Sequence, residues 1–365
     1  MAKPFYSKLR SMLGWDRYFD NAATTPVDPR VLNEMLPYLG DEFGNANSAH
    51  SWGSRARSAV ELARTRVAEA IGADDPSQIL FTSGSTEANN WVLRSGATGY
   101  VGPFEHDSVR APAAHLGFNV LENDGWLVSP VITDFASHML VNNETGAIFD
   151  LEGLRAHCKT LHSDITQAVG KLQNPIGHVD LASLSSHKIH GPKGVGALFV
   201  RDPSQTPLPL LMGGEHEFGM RAGTLNVAGI VGFGLASSLS GDHREATWSQ
   251  ALEWREIQLE AVRGLTDVEV HSMGVPHILA MSFLGVEGES IVLDMDAAGF
   301  GIGSGAACST GSTEPSHVLT ALGIEPDWIR GTVRISFGRY NTKESSAALA
   351  ANLVDVVTRL RRLRN

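Results

Sequence analysis

From about residue 18 to residue 241 the sequence alternates short apolar or β-branched runs with longer stretches of helical period. The clearest helix is predicted over residues 54–71, where apolar side chains recur every three or four positions and Gly72 ends the pattern. These side chains are Val60, Ala63, Val67 and Ile71. Such alternation is typical of βα units on a sheet whose strands are mainly parallel. The sequence therefore predicts an α/β fold.

A second domain is predicted in the C-terminal third of the chain, because 365 residues are many for a single hydrophobic core. Helical and strand patterns alternate there. They cover residues 244–264, 278–283, 290–298, 333–337 and 343–363. We expect a large domain over residues 18–243 and a small α/β domain formed by residues 1–17 and 244–365.

Charge and cysteine content exclude several classes of protein. The chain has 29 basic and 40 acidic side chains, and its net charge of -11 argues against nucleic acid or an anionic membrane as the main partner. The two cysteines, Cys158 and Cys308, are too few and too far apart for a disulfide framework, and no Cys/His spacing suggests a zinc site. No apolar run is long enough to span a membrane and no secretory leader is recognised. We therefore expect a cytoplasmic protein.

A lysine lies between two apolar runs and is the leading candidate for chemistry. Residues 181–184 precede the segment Ser185–Gly194, which contains Lys188, and a second apolar run follows at 196–200. Burial at the end of a strand lowers the pKa of an amine, so that it can form a Schiff base with an aldehyde such as pyridoxal phosphate. The alternative is a surface hairpin that carries two lysines.

Polar residues follow other predicted strands. Residues 79–81 lead into a turn and a helix start with Ser85 and Thr86, which predicts a phosphate-binding cup; an ordinary N-cap is the alternative. A strand is predicted over 139–141, and polar residues that include Asn143 follow its end. Asp164 is predicted at another strand end, where a carboxylate can pair with a protonated pyridine nitrogen, although isolated aspartates more often cap turns. Because open α/β sheets bind ligands at these ends, the series predicts one site.

Three further residues are candidates with a competing structural interpretation. His106 could stack on a pyridine ring and move a proton, or lie in a surface loop. Cys308 lies in a segment of small residues, 299–312, whose glycine spacing does not fit a dinucleotide loop; a thiol there is a candidate nucleophile. In contrast, Cys158 is predicted on a helical stripe in the core, with Leu151, Leu154 and Leu161. Arg334, in an apolar strand, could bind a substrate carboxylate or form a structural ion pair.

Together these segments resemble the cysteine desulfurases, a branch of the class V aminotransferase group among the fold-type I pyridoxal-phosphate enzymes. The resemblance covers nearly the whole chain. Its motifs, in order, are residues 18–26, 44–45, His50, 85–87, 105–106, 142–144, Asp164, Gln167, 185–194, 219–224, 304–308 and Arg334. The segment around Cys308, with residues 314–319, is similar to the long-loop group, which feeds iron–sulfur cluster assembly and thio-modification.

The resemblance implies a role for each candidate residue. Lys188 would bind the cofactor covalently, Asp164 its pyridine nitrogen and Gln167 its ring oxygen, while His106 would stack on the ring. Asn143 and Arg334 would bind the substrate carboxylate. The phosphate would be held by Ser85, Thr86, Ser185, His187 and, from the second subunit of a homodimer, Thr224.

The implied reaction removes sulfur from L-cysteine and yields L-alanine. Lys188 would move the Cα proton, Cys308 would attack the substrate sulfur, and His106 would assist protonation. The persulfide on Cys308 would then pass to an acceptor or scaffold protein. Two alternatives remain: a selenocysteine or C–S lyase, and a trimmed, non-catalytic paralogue with a binding or regulatory role, which the short segment between Asn90 and Asp164 favours.

Overall fold

Two β-sheets and a short hairpin organise the part of the chain that the computed structural model describes, residues 14–95, 98–305 and 315–364. The strands are numbered along the chain. They are β1 (Ile79–Thr82), β2 (Tyr100–Val101), β3 (Asn119–Val120), β4 (Asn123–Asp124), β5 (Leu127–Val128), β6 (Thr133–Ser137), β7 (Cys158–Asp164), β8 (Leu181–Ser185), β9 (Gly196–Val200), β10 (Val268–Val270), β11 (Ile278–Phe283), β12 (Gly303–Ser304) and β13 (Thr332–Ser336).

Helices cover both sheets. In the described residues they are α1 (Pro29–Met35), α2 (Ser51–Ile71), α3 (Ser85–Leu93), α4 (Asp107–Leu116), α5 (Leu151–Arg155), α6 (Val227–Asp242), α7 (Arg244–Val262), α8 (Gly288–Ala297), α9 (His317–Ala321), α10 (Pro326–Arg330) and α11 (Lys343–Arg364). Over these same residues, none of the helices combines the length and the apolar character needed to cross a membrane.

The larger sheet has the order β1-β9-β8-β7-β6-β2-β3. Every neighbouring pair from β8 to β3 is parallel, and only β9 runs against its neighbours β1 and β8. The prediction of a mainly parallel α/β sheet is thus confirmed. Since β1 and β8 both oppose β9, they point the same way as β7. The last residues of these three strands, Thr82, Asp164 and Ser185, therefore lie at one edge of the sheet.

Close packing of two helices builds the core beside this sheet. Helix α2 begins before the predicted residue 54, because His50 Nδ1 caps it by accepting the Gly53 N–H at 3.2 Å. It packs on α6, where Gly234 faces Ala63 so closely that a Cβ would lie 2.5 Å from the Ala63 Cα. A glycine-rich α6 therefore lets the two backbones approach and bury the apolar face of α2.

The smaller sheet has the order β10-β11-β13-β12 and is antiparallel throughout. Helices α7, α8 and α11 lie over it, and its core contains Trp254, Met281 and Leu353. Phe19 also packs in this core: its N–H donates to Gly301 O at 2.7 Å, and its carbonyl accepts the Ser336 N–H at 2.6 Å. The predicted division of the chain at residues 18 and 243 stays a prediction.

Two sequence predictions of secondary structure are wrong. A strand was predicted over 139–141, but the strand in this region is β6, which ends at Ser137. Beyond Ser137 the chain makes irregular hydrogen bonds to β7, and Leu140 N donates to Asp164 O at 3.2 Å. The helical stripe predicted from 151 to 161 is interrupted, because α5 ends at Arg155 and Cys158 begins β7. Cys158 is nevertheless buried, as predicted.

Candidate active site

A cleft of about 800 Å³ opens at the carboxyl edge of the larger sheet, next to β12 and β13. Most of the candidate residues line it. They are Ser85, Thr86, His106, Asn143, Asp164, Gln167, Ser185, His187, Lys188 and Arg334. Thr224 lines a separate surface cavity beside Phe43, and Cys308 lies outside the described residues. One cleft thus brings together the residues predicted for cofactor and substrate, apart from these two.

Lys188 ends a short turn of 3₁₀ helix that follows β8. Its Nζ donates to two carbonyl oxygens, at 2.7 Å from Ala22 O and 2.6 Å from Ala23 O. Burial of the ammonium, together with the nearby Arg334 guanidinium, lowers the pKa of Lys188 to about 8. A substantial fraction of this amine is therefore unprotonated near neutral pH, as a nucleophilic lysine requires.

Asp164 is fixed at the end of β7 by two donors. Its Oδ1 accepts the Thr166 N–H at 2.9 Å, and its Oδ2 accepts the Asn89 amide at 2.8 Å. Asn89 was not among the sequence candidates; it lies on α3 four residues after Ser85, and this helical spacing was the available signal. A buried carboxylate that accepts two hydrogen bonds and faces the cleft is suited to binding a protonated ring nitrogen.

Two buried titratable groups lie near this carboxylate, Glu105 and His162. Glu105 is fully buried, and burial together with the charge of Asp164 raises its pKa well above the usual range. Ser137 Oγ donates to Glu105 Oε1 at 3.3 Å and lies 2.9 Å from His162 Nδ1. Burial lowers the pKa of His162 to about 4. Burial therefore disfavours the charged forms of both Glu105 and His162 beside Asp164.

The start of α3 forms a cup suited to a phosphate. Gly84, the N-cap residue, offers no side-chain acceptor to the first helical N–H groups, which have no partner within a helix. The hydroxyl groups of Ser85 and Ser185 lie 3.0 Å apart at its rim. Gly196 on β9 supports the cup, since a Cβ there would lie 2.7 Å from the Gly84 Cα.

His187 and Lys193 also line the cleft near this cup. His187 Nδ1 lies 3.1 Å from Thr24 Oγ1, and burial lowers the pKa of His187 to about 4. The uncharged imidazole can therefore offer one N–H to a phosphate, while the positive charge comes from Lys193.

Arg334 lies on β13 and crosses to the far side of the cleft. Its Nη1 donates to Asn143 O at 2.9 Å and its Nη2 to Asp20 Oδ1 at 2.8 Å. Its Nε is buried without a hydrogen-bond partner. The structural ion pair considered as an alternative is therefore present, with Asp20, and the Nε donor is still left for a ligand. A buried, unsatisfied donor of this kind is suited to a carboxylate.

His106 caps α4 and is exposed to the cleft. Its Nδ1 accepts the Ser108 N–H at 3.1 Å, so the neutral ring carries its hydrogen on Nε2. His317, which sequence reasoning missed, lines the same cleft and lies 2.9 Å from Glu105 O through Nε2. Gly303 lines it too, so both flanks of the undescribed segment 306–314 reach the cleft.

These residues fit a molecule that carries a phosphate, an aldehyde and a pyridine ring. The cup with Ser85 and Ser185 supplies donors for the phosphate, Lys188 supplies the amine, and Asp164 supplies the carboxylate for the ring nitrogen. The orphaned Arg334 Nε supplies a donor for a substrate carboxylate at the opposite end. Pyridoxal phosphate has all three groups that the cofactor side of this cleft accommodates.

Known proteins share this sequence and fold. The class-V aminotransferase profile matches residues 17–349. The cysteine desulfurase IscS of Anaeromyxobacter sp. (strain Fw109-5) is 40% identical over 95% of this chain and 93% of its own. The putative cysteine desulfurase IscS 1 of Bacillus subtilis (strain 168) is 36% identical over 94% of this chain and 99% of its own.

Solved structures agree with this assignment. A NifS-like protein superimposes with a TM-score of 0.86 at 31% identity, covering 94% of this chain and 99% of its own. SspA in complex with cysteine gives a TM-score of 0.75 at 30% identity, covering 89% of this chain and all of its own. The chain therefore belongs to the class-V aminotransferases and, among them, to the cysteine desulfurases, pyridoxal-phosphate enzymes that remove sulfur from L-cysteine.

Proposed function

We propose that this enzyme transfers the sulfur of L-cysteine to Cys308 as a persulfide and then passes it to an acceptor or scaffold protein, as in the long-loop group that serves iron–sulfur cluster assembly or thio-modification. The observation that carries the proposal is the position of Lys188, with its lowered pKa, in one cleft with Asp164 and Arg334. The solved relative SspA, in complex with cysteine, supports L-cysteine as the substrate.

Lys188 and Asp164 prepare the Cα proton transfer. Bound pyridoxal phosphate supplies the electron sink for this step. Asp164 would hold the ring nitrogen, Gln167 the ring oxygen, and the Nζ of Lys188 would bind the cofactor in the resting enzyme. Once released, the Nζ of Lys188 takes the Cα proton as a free amine, which its pKa of about 8 allows.

Arg334 and Asn143 orient the substrate. The unpartnered Nε of Arg334 donates to the substrate carboxylate, and the Asn143 amide provides a second donor from the neighbouring loop. Asp20 keeps the guanidinium in place through its 2.8 Å contact. A carboxylate fixed by Arg334 would keep the substrate in the same cleft as Lys188.

Cys308 receives the sulfur. It follows Gly305, the last described residue before this segment, by three positions, and three extended residues span at most about 11 Å. Its thiolate attacks the substrate sulfur; the new S–S bond forms as the C–S bond breaks, and the electron pair stays on the carbon side. His106 donates the proton that completes L-alanine.

A homodimer completes the cofactor site. Thr224 is exposed and shares a surface cavity with Leu39 and Phe43, which are 67% and 75% exposed. Apolar side chains exposed to this extent favour coverage by another protein surface. In the dimer Thr224 donates to the phosphate in the partner's cup.

The Cys308→Ser variant tests the sulfur transfer, with Cys158→Ser as the matched control because Cys158 is the other cysteine and is buried in the core. After incubation with L-cysteine, mass spectrometry of wild type should show one added sulfur atom on the Cys308 peptide. Cys308→Ser should keep the cofactor absorbance and lose sulfide and alanine production. Cys158→Ser should retain both.

Two outcomes would contradict the proposal. Undiminished sulfide release by Cys308→Ser would favour the alternative of direct C–S or selenocysteine lyase chemistry. A purified wild-type protein that binds no cofactor would favour the non-catalytic paralogue.

A further inference from the structure

Lys171 is an inward-facing lysine outside the proposed set of site residues. Its side chain lines a cavity of about 60 Å³ that shares Ala22, Gln167 and Lys188 with the active-site cleft. Among the residues that the structure describes, the lining of this cavity includes two other cations, Lys188 and Arg339, and no carboxylate. Burial, together with Lys188, lowers the pKa of Lys171 to about 7. A buried ammonium group without a counter-ion lowers the stability of the folded protein, and titratable groups of this kind are often found at functional sites.

A hydrogen-bonded chain connects this lysine to Lys188. Lys171 Nζ donates to Gln167 Oε1 at 3.3 Å, and Gln167 Nε2 donates to Ala22 O at 2.9 Å. The same carbonyl oxygen accepts from Lys188 Nζ at 2.7 Å. Gln167 is 4% exposed, so protein groups and not bulk water decide how its amide is oriented.

When Lys171 is protonated, this hydrogen-bonded chain fixes which end of the Gln167 amide faces the active site. The amide oxygen accepts, and the single amide nitrogen donates through two N–H groups, whereas a lysine ammonium only donates. If the amide were reversed, its NH₂ group would meet the donors of Lys171, and its oxygen would meet Ala22 O. Both hydrogen bonds would then be lost, and each would be replaced by a repulsive contact.

We infer that Lys171 is a positioning residue that keeps the NH₂ group of Gln167 directed toward Lys188 and the ring oxygen of the cofactor. The inference rests on the proposed contact between Gln167 and that oxygen. The ring oxygen is an acceptor, so it needs the donating end of the amide. Lys171 thus acts through Gln167 on the acidity of the bound cofactor, although it does not touch the cofactor.

Other titratable groups face the same cavity and do not replace Lys171. They are Lys188, His190, His243, His277 and Arg339. Burial lowers the pKa of His190 and His277 to about 3, so both are uncharged near neutral pH. Arg339 donates to Asp28 at 2.9 Å.

The test is a pH titration of the cofactor absorbance band in the cofactor-loaded enzyme. Lys171→Met removes the donor, and the midpoint should rise by about one pH unit, because the ring oxygen loses a hydrogen bond to its charged form. Lys171→Arg keeps a donor-only cation and should restore the wild-type midpoint. Lys159→Met, which removes a lysine with an 80% exposed side chain, is the matched control and should leave the midpoint unchanged.

A second background shows whether Lys171 acts through the amide. In Gln167→Leu enzyme, Lys171→Met should produce no further shift; a full additional shift would overturn the inference. If Gln167→Leu alone leaves the midpoint unchanged, the proposed contact of Gln167 fails, and the inference fails with it. If Gln167→Leu shifts the midpoint and Lys171→Met does not, only the inference fails. Lys171→Leu, which also removes the donor, serves if Lys171→Met does not fold.

Discussion

The Lys188 ammonium is subject to opposing influences. Burial is the strongest and lowers its pKa, and the Arg334 guanidinium lowers it further. Asp164 and Asp20 act in the other direction and keep part of the positive charge favourable. The resulting pKa of Lys188 is about 8, well below the value of 10.5 for an exposed lysine. The amine is thus reactive without being permanently neutral, which suits a group that must both release and take up a proton.

Cofactor capture by the apoenzyme should follow this pKa. Attachment needs the free amine, so the rate constant for cofactor binding should rise with pH and level off above a midpoint near 8. Arg334→Gln removes the second cause of the lowered pKa, and its midpoint should move upward. Stopped-flow absorbance measures the rate constants of wild type and of Arg334→Gln. Because the free cofactor ionises in the same way in both experiments, its contribution cancels in the ratio of the two rate constants. Identical midpoints would show that Arg334 does not influence Lys188.

Some of this chemistry was accessible from the sequence and some was not. Lys188 and Asp164 could be predicted because apolar runs mark the strands that place them at the edge of the sheet. Asn89 and Lys171 could not be assigned roles, since their importance comes from contacts between distant segments: Asn89 reaches Asp164, 75 residues away. Local patterns reveal strand ends, but they do not reveal which side chains meet there.

At the scale of elements, the loop before α6 is held by two ion pairs. Arg64 on α2 binds Glu217 through both Nη atoms, each at 2.8 Å, and both side chains are at most 3% exposed. Arg221 binds Glu87 of α3 at 2.8 Å. Glu217 has a φ of 49°, a left-handed conformation that costs free energy for a residue other than glycine. These contacts fix the loop that carries Thr224.

Removal of one partner of the buried pair should be strongly destabilising. Arg64→Met leaves the Glu217 carboxylate without its counter-ion, and the free energy of unfolding should fall by about 3–5 kcal/mol. The double variant Arg64→Met/Glu217→Gln removes both charges and should lose less. Urea unfolding followed by circular dichroism measures the three proteins. A double variant less stable than Arg64→Met would contradict this account of the pair.

The boundaries of an element were predicted well where the apolar pattern and the residues that flank it agree. The strand over 278–283 was predicted with its observed limits, because Pro276 and His277 precede the apolar run and Gly285 ends it one residue after Leu284. The strand predicted over 139–141 failed, since β6 contains Thr133 and Asp134 and lacks a continuous apolar run. The break between α5 and β7 was missed because Leu154, Cys158 and Leu161 are all buried, and helical spacing fitted them by coincidence.

At the scale of the whole molecule, the proposed dimer makes each active site a product of two chains. A complementation experiment follows from this. Thr224→Ala should lower the affinity for the cofactor about 10- to 100-fold, because a hydrogen bond to a charged group is lost. Lys188→Ala should abolish turnover. In a mixed dimer of the two variants, one site has Lys188 from one chain and Thr224 from the other, and is complete.

Mixed dimers should therefore recover activity at low cofactor concentration, where Thr224→Ala alone is inactive. Affinity tags of two kinds isolate the mixed species, and alanine production measures its activity. Activity no higher than that of Thr224→Ala would place Thr224 in the site of its own chain. A monomer in analytical ultracentrifugation would remove the premise of the experiment.

The position of Phe19 has a consequence for synthesis of the chain. The core that receives it also contains Met281 and Leu353, so residues separated by more than 300 positions must be present together. Domains generally fold as units while the ribosome releases the chain from its N-terminus. Phe19 is synthesised early, whereas the core that receives it is complete only after the last helix has been translated. The core of the smaller sheet can therefore close only after translation of the chain is nearly complete.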